Sequence, residues 1–336
     1  MQFLDKPVRI DEQTWKKDVE PLVSISCITY NHEKFISDAI EGFLMQETTF
    51  PVEINIHEDA STDNTADIIR EYEKKYPNVL FNVIYQTENQ YSKKDGSIRR
   101  IQHGRARGKY YATCEGDDYW IDPQKLQKQV EFLELNNQYN LVCGGYKSIN
   151  IHTNEDKIII KNRQKNFADD VSGFEFSLEE MKYQWLTKTL TCLLRTESLK
   201  VYTSVEYKYN RDIHLFYHVV KSSKAYYLRS VLGVYRIHEG GINSMINNEL
   251  NYVVSYQAYK ELYLKNNDEF TRIKSLMTAT NLFRFNVFNS NDFSFKENIQ
   301  FIFHAIKLIR EIKDVVLIVK VLTPERLKGR LRASIA

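Results

Sequence analysis

Apolar runs and helical periods alternate along the first 146 residues, and nothing else in the sequence limits the fold as tightly. Residues 22–28 alternate with period two as a strand and run into Thr29-Tyr30-Asn31. The next stretch places Phe35, Ile36, Ala39, Ile40, Phe43 and Leu44 on one helical face. Val52, Ile54 and Ile56 mark a second strand that ends at Glu58-Asp59. Ser61 or Thr62 can cap the helix carrying Ile68, Ile69 and Tyr72. A third strand spans 79–85, and a basic helix runs from about 96 to 107 and closes at Gly108. A fourth strand, 110–114, leads into Glu115-Gly116-Asp117-Asp118. Asp122-Pro123 opens a helix with Leu126, Val130 and Leu133 on one face, and 141–146 is a further strand. Strands joined by whole helices need crossover connections. The expected core is therefore an α/β, mostly parallel sheet with helices on its faces.

After that the regularity fades. Residues 151–170 are polar and read as a long hairpin or loop. Ser177-Leu178-Glu179-Glu180 is a capping box for a short helix. Residues 189–194 and 226–235 read as strands on either side of a helix near 212–221, and from about 248 only helical patterns remain. The expected partition is a catalytic α/β domain over 1–247 and a helical C-terminal extension over 248–336. A chain of 336 residues, 43% hydrophobic, is large and apolar enough for both. The four cysteines are far apart and form no CxxC, so buried reduced thiols are expected. A net charge of +2 gives no electrostatic reason to bind nucleic acid. Residues 1–17 are charged throughout and lack the apolar run of a signal peptide. No segment reaches the roughly 18 apolar residues of a spanning helix. A cytoplasmic location is expected.

In a parallel sheet the loops after Ile28, His57 and Cys114 emerge on one edge, where such sheets bind ligands. They bring Thr29-Tyr30-Asn31, Glu58-Asp59 and Asp117-Asp118 together. Adjacent carboxylates at a strand tip suit a hard cation such as Mg²⁺ or Mn²⁺, which shares its oxygen ligands with substrate phosphates. Asp59 is placed to accept from an N–H of a base. No GxGxxG follows the first strand and no GxxxxGK[ST] occurs, so the phosphate cradles of dinucleotide enzymes and P-loop proteins are missing.

These segments resemble the inverting glycosyltransferases of family 2, of the bacterial cell-surface polysaccharide type. Residues 23–32 resemble that family's first strand and TYN turn. Residues 58–65 are similar to its D-D-x-S-x-D-x-T motif, and Gly108-Lys109-Tyr110 followed by Glu115-Gly116-Asp117-Asp118 to its G-x-Y strand and DxD-type motif. Asn210-Arg211-Asp212 resembles the later segment that supplies the base, and 234–241 a Y-R-x-H-x-G-G segment. The departures are a missing proline near Cys27-Ile28, Glu58 for the first acid of the pair, and Gly116-Asp117-Asp118 in an x-D-D form.

The resemblance implies a GT-A-type, Rossmann-like sheet and a hexosyl- or N-acetylhexosaminyltransferase that uses Mn²⁺ or Mg²⁺. It implies a nucleotide-sugar donor, expected to be UDP-linked, and a glycan or lipid-linked acceptor hydroxyl. Asp118 is then the metal ligand, with His238 beside it on metal or diphosphate, and Asp117 touches the sugar or ribose. Asp59 reads the base, and Thr29 and Asn31 line the nucleotide pocket. One of Arg99, Arg100, Arg105 and Arg107, with Arg105 preferred, pairs with the diphosphate, and Asp212 is the general base. The other histidines, His32 among them, read as structural.

Two alternatives stand beside this reading: a non-catalytic module that binds nucleotide-sugar or glycan, and a sugar nucleotidyltransferase. The second usually has a glycine-rich loop after the first strand, and Thr29 to Lys34 contain no glycine. The C-terminal segment interleaves apolar residues over 299–319 with Lys307, Arg310, Lys313 and Lys320. It reads equally as helices packed on the protein or as an amphipathic surface for an anionic membrane. On the membrane reading, residues from Val315 onward are dispensable to the fold.

Overall fold

The computed structural model describes residues 3–16, 18–93, 96–161, 172–241, 248–289 and 295–322. Its strands are β1 (Val8–Arg9), β2 (Val23–Thr29), β3 (Glu47–Thr48), β4 (Val52–Glu58), β5 (Leu80–Tyr85) and β6 (Tyr110–Thr113). They continue with β7 (Tyr119–Trp120), β8 (Tyr139–Asn150), β9 (Asp156–Ile159), β10 (Gly173–Phe176), β11 (Leu193–Arg195) and β12 (Lys224–Ile237). The helices are α1 (Ile36–Leu44), α2 (Thr65–Lys75), α3 (Ser97–Arg105), α4 (Lys125–Leu135), α5 (Leu178–Met181), α6 (Leu199–Thr203) and α7 (Asp212–Ser222). Four more close the chain: α8 (Asn248–Asn266), α9 (Glu269–Asn289), α10 (Phe295–Leu308) and α11 (Ile312–Leu322).

The main sheet runs β10-β12-β8-β11-β6-β2-β4-β5, with β7 paired to β12 and β9 to β8. The pairs β2–β4, β2–β6, β4–β5 and β8–β12 are parallel. The mostly parallel, helix-flanked sheet expected from the sequence is the observed one. One feature differs. Residues 189–194 do not form a single strand: 189–191 make a 3-10 turn, and the three-residue β11 inserts antiparallel between β6 and β8. The polar 151–170 stretch starts as a hairpin, β8 with β9, and 162–171 lie outside the described residues. α4 begins at Lys125, two residues later than the Asp122-Pro123 signal suggests, because the Asp122 carboxylate accepts from Gln124 N (3.0 Å) ahead of the helix.

β2 and β4 are interior strands of the sheet, each paired on both sides. Both are covered on both faces, with Val23, Ile25, Cys27, Ile54 and Ile56 in the core. The buried polar side chains on these strands are satisfied. Glu53 accepts from Ser24 Oγ (2.6 Å), Arg107 N (2.9 Å) and Arg107 Nε (2.8 Å). Gly108 lets the chain re-enter the sheet against this network: a Cβ there would lie 2.6 Å from Ser24 N and 2.8 Å from Val23 C. Both are backbone atoms that cannot move aside. Gly108→Ala is expected to lower stability by about 1–3 kcal/mol, and an unchanged melting temperature would contradict that packing.

The chain divides into two compact units, Met1–Glu206 with Asp212–Gly241, and Tyr207–Arg211 with Ile242–Ala336. In the second, Tyr256, Leu276, Ala279, Leu282, Ala305 and Leu308 form a core shared by α8, α9 and α10, and Leu317 and Ile318 of α11 pack onto it. Arg272, fully buried, donates to Asp314 (2.9 and 3.1 Å) and to Glu269 (2.8 Å). Asp314 also accepts Arg310 N and Glu311 N (2.8 and 3.1 Å), so it fixes the start of α11. Residues 315–322 are therefore tied into the helical core through Leu317 and Ile318, contrary to the expectation that the segment from Val315 is dispensable to the fold.

Candidate active site

The β2–α1, β4–α2 and β6–β7 loops meet at the C-terminal ends of the central strands, as the strand order requires. Asn31 takes the left-handed conformation (φ 54°), which Asn tolerates better than most residues. Its N–H donates to Ser61 Oγ (2.9 Å) and its Oδ1 accepts from Thr62 N (2.8 Å), so it stitches the first loop to the second. Thr29 is buried with its hydroxyl 3.1 Å from His32 Nδ1. Gly116 lies so close that a Cβ would stand 2.5 Å from Thr29 Oγ1. Thr29 and Asn31 thus tie three loops to one another.

Asp59 is fully buried. Its Oδ1 accepts Gln90 N (2.8 Å) and its Oδ2 accepts Tyr91 N (2.9 Å), with His57 Nε2 3.3 Å from Oδ1. Both oxygens hold the segment after β5. Asp59→Ala would leave two N–H groups without their acceptor, at about 1–3 kcal/mol for each that stays buried. Faster proteolysis within 86–93 and a lower melting temperature are expected; unchanged values would sink this assignment.

Arg105 is turned away from the expected role. Its guanidinium donates to Ile56 O (3.2 Å), Gln102 Oε1 (3.1 Å) and Asn82 O, so backbone carbonyls of β4 and β5 occupy it. The arginine in the cleft is Arg99. It shares one face of α3 with Gln102 and His103, at i, i+3 and i+4, and all three line a small cavity of about 40 Å³. Ser26, Tyr111, Glu115, Thr189 and Asp212 also line it.

Asp212 is the first residue of α7. Arg99 Nη2 donates to its Oδ1 (2.6 Å) and Thr189 Oγ1 to its Oδ2 (3.0 Å). Its side chain remains 45% exposed, so the carboxylate is aimed by two donors and still reachable from solvent. Burial works against the Arg99 charge, but Asp212, Tyr202 and Glu115 together outweigh it and Arg99 stays cationic. Glu115 stands between the two acid groups of the cleft. Burial, then the negative charges of Asp212 and Asp117, push it up to about 7, while Lys188 and Arg99 pull it down. Lys188 is held by its ammonium over the Tyr235 ring, 3.0 Å from the centroid.

The paired acids face different ways. Asp118 is 1% exposed, and its Oδ1 accepts Arg236 N (2.9 Å) from β12. Burial and the neighbouring Asp117 and Glu115 charges raise it well above the usual carboxylate range. Asp117 lies against two imidazoles, with His238 Nε2 at 3.1 Å and His32 Nε2 at 3.9 Å from Oδ2. Burial pushes Asp117 up, but the His238 hydrogen bond and the His32 and His238 charges overcome it and hold it low. Arg236 braces the loop from outside, donating to Asp117 O (3.0 Å) with its guanidinium over Tyr119. Asp118 is the more deeply buried acid of the pair, and Asp117 is the one that lies beside His238.

Among the described residues, no three His, Cys, Asp or Glu side chains converge into a ready-made metal cage. One ionised carboxylate beside an imidazole still fits a hard cation that takes most of its ligands from substrate phosphates and water.

Residues 24–198, just over half of the chain, match the family described as Glycosyl transferase family 2. The chain belongs to that family. The curated relatives include an uncharacterized protein of Mycobacterium tuberculosis, Rv1520, 46% identical over 112 residues, which are 33% of this chain and 31% of that one. They also include the putative teichuronic acid biosynthesis glycosyltransferase TuaG of Bacillus subtilis, 36% identical over 119 residues, 35% of this chain and 43% of TuaG. The matched segment thus spans about a third of the first curated relatives. Among solved structures, S. aureus TarS 1-349 in complex with UDP-GlcNAc superposes with a TM-score of 0.58 at 18% identity, over 88% of this chain and 83% of that one. That likeness concerns the fold, which is GT-A-like.

Within this family 2 chain, Thr29, Asn31, Asp59, Asp117, Asp118, Asp212 and His238 all fall on the loop edge of the sheet or just beneath it. Arg105 does not. Sequence reasoning gave no role to Glu115, Thr189, His32 or Lys188, and preferred Arg105 to Arg99 among the arginines of this helix. Arg99 had a usable signal, since the i, i+3, i+4 set with Gln102 and His103 separates it from Arg100 on the helix.

Proposed function

We propose that this family 2 chain is an inverting, metal-dependent glycosyltransferase that moves a hexosyl or N-acetylhexosaminyl group. The donor is a UDP-linked sugar, and the acceptor is a hydroxyl of a glycan or lipid-linked glycan in cell-surface polysaccharide synthesis. The observation that carries this is Asp212: an exposed carboxylate aimed by Arg99 and Thr189 across a cleft from Asp117 and its two histidines. TuaG, named for teichuronic acid biosynthesis, supports the acceptor class, and the UDP-GlcNAc held by TarS supports the donor class. We take residues up to about 247 as the catalytic domain. A lipid-linked acceptor would bring the enzyme to the cytosolic face of a membrane.

In a single displacement the acceptor oxygen attacks the anomeric carbon as the bond to the nucleoside diphosphate breaks. The acceptor proton passes to Asp212. Arg99 holds one oxygen of that carboxylate and Thr189 fixes the second, so its open lone pairs stay toward the cleft. Asp117 and His238 would hold the divalent cation, which when bound neutralises the leaving diphosphate as a Lewis acid. Thr29, Asn31 and Asp59 keep the nucleotide side of the pocket in shape through the loops they pin.

A screen of nucleotide-sugars with Mn²⁺ and Mg²⁺, followed by mass analysis of the nucleotide released, tests the proposal. A nucleoside diphosphate is expected. A nucleoside triphosphate formed only when pyrophosphate is added would indicate a nucleotidyltransferase, and binding without any release would indicate a binding module.

A further inference from the structure

We propose that α10 and α11 form a docking surface for an anionic lipid bilayer, lying on it rather than crossing it. Each helix uses one face for the helical core: Phe301, Ala305 and Leu308 on α10, and Leu317 and Ile318 on α11. By helical geometry the opposite faces point away from that core. They are apolar too. On α11, Ile312, Val315, Val316 and Val319 stand at i, i+3, i+4 and i+7 and are 83%, 45%, 46% and 57% exposed. On α10, Ile302, Phe303 and Ile306 are 36%, 60% and 55% exposed. A helix that only packs on a core presents polar residues on its outer face. These two present valine, isoleucine and phenylalanine to water.

Charge decides what covers them. Lys307, Arg310, Lys313 and Lys320 are all exposed on this stretch. Of the acids between 300 and 322, Asp314 is buried against Arg272, and Glu311 pairs with Lys313 (3.0 Å). The sequence that follows adds Arg326, Lys328, Arg330 and Arg332 against Glu325 alone. Apolar side chains rimmed by cations match the acyl boundary and phosphate layer of an anionic leaflet. A second copy of the chain would set like charges against each other. Among the described residues no helix is long and apolar enough to span a membrane, so the contact is a surface one. This inference is independent of the transferase reading, because lipid binding needs neither donor nor metal.

The test is co-sedimentation of the full chain with vesicles of phosphatidylcholine plus phosphatidylglycerol, and with vesicles of phosphatidylcholine alone, at low and high salt. Binding to the anionic vesicles, weakened by salt, is expected. Val316→Asp together with Val319→Asp should abolish it; both sites are exposed, so circular dichroism and melting should not change. Lys313→Gln and Lys320→Gln should each lower partitioning about fivefold. Failure of the full chain to bind overturns the proposal, as does equal binding to both vesicle types or undiminished binding by all variants. A concentration-dependent dimer that the valine variants dissolve, without vesicle binding, would assign the face to a second copy and overturn it as well.

Discussion

Asp212→Asn is expected to lower acceptor-dependent turnover about 10²–10⁴-fold, the usual worth of a general base. The substitution is close to isosteric. An amide oxygen can still accept from Arg99, but the group can no longer take the acceptor proton. Asp212 is half exposed, so the loss of its pairing with Arg99 should cost about 1 kcal/mol or less. Donor affinity should survive, because the groups placed on the donor side are Asp117, His238 and the loops held by Thr29, Asn31 and Asp59. Arg99→Met should reproduce part of the defect with the carboxylate present, since Asp212 would then lose its charge partner and its aim. Turnover near that of the unaltered enzyme in Asp212→Asn would remove this residue from the mechanism, and lost donor affinity would move it to binding.

The second large effect separates two neighbouring acids. Asp117→Asn is expected to reduce metal-dependent turnover by about a hundredfold or more, as loss of charge neutralisation on the leaving group implies. Addition of a chelator to the unaltered enzyme should abolish turnover. Asp118→Asn should be far milder. Asp118 is buried and its acidity is suppressed, and an amide oxygen at that position can still accept Arg236 N. The reverse order of severity, at equal melting temperatures, would restore Asp118 as the metal ligand and reassign Asp117 to the sugar.

The placement of these two acids shows what the sequence can and cannot carry. The strand–helix alternation up to residue 146 determined the parallel core, because each apolar strand needs both faces covered and each helix supplies a cover. The loops bearing Asp59 and Asp117 therefore had to share an edge. The short antiparallel β11 was not legible, since three residues carry no periodicity and the partners of Leu193, Ala112 and Val142, lie 81 and 51 positions earlier in the chain. Neither was the orientation of the adjacent acids. Which of Asp117 and Asp118 turns inward depends on Gly116 packed against Thr29 and on the backbone of β12 more than a hundred residues later. Arg105 and Arg99 differ for the same reason: carbonyls of β4 and β5 claim one, and Asp212, distant in sequence, claims the other.

The central claim is a single displacement with Asp212 as base. Proton NMR of the transferred sugar, read against the configuration of the same sugar in the donor, tests it most directly. The account predicts inversion at the anomeric carbon in every product linkage. Retention would require an intermediate that this arrangement does not provide, and would contradict the mechanism.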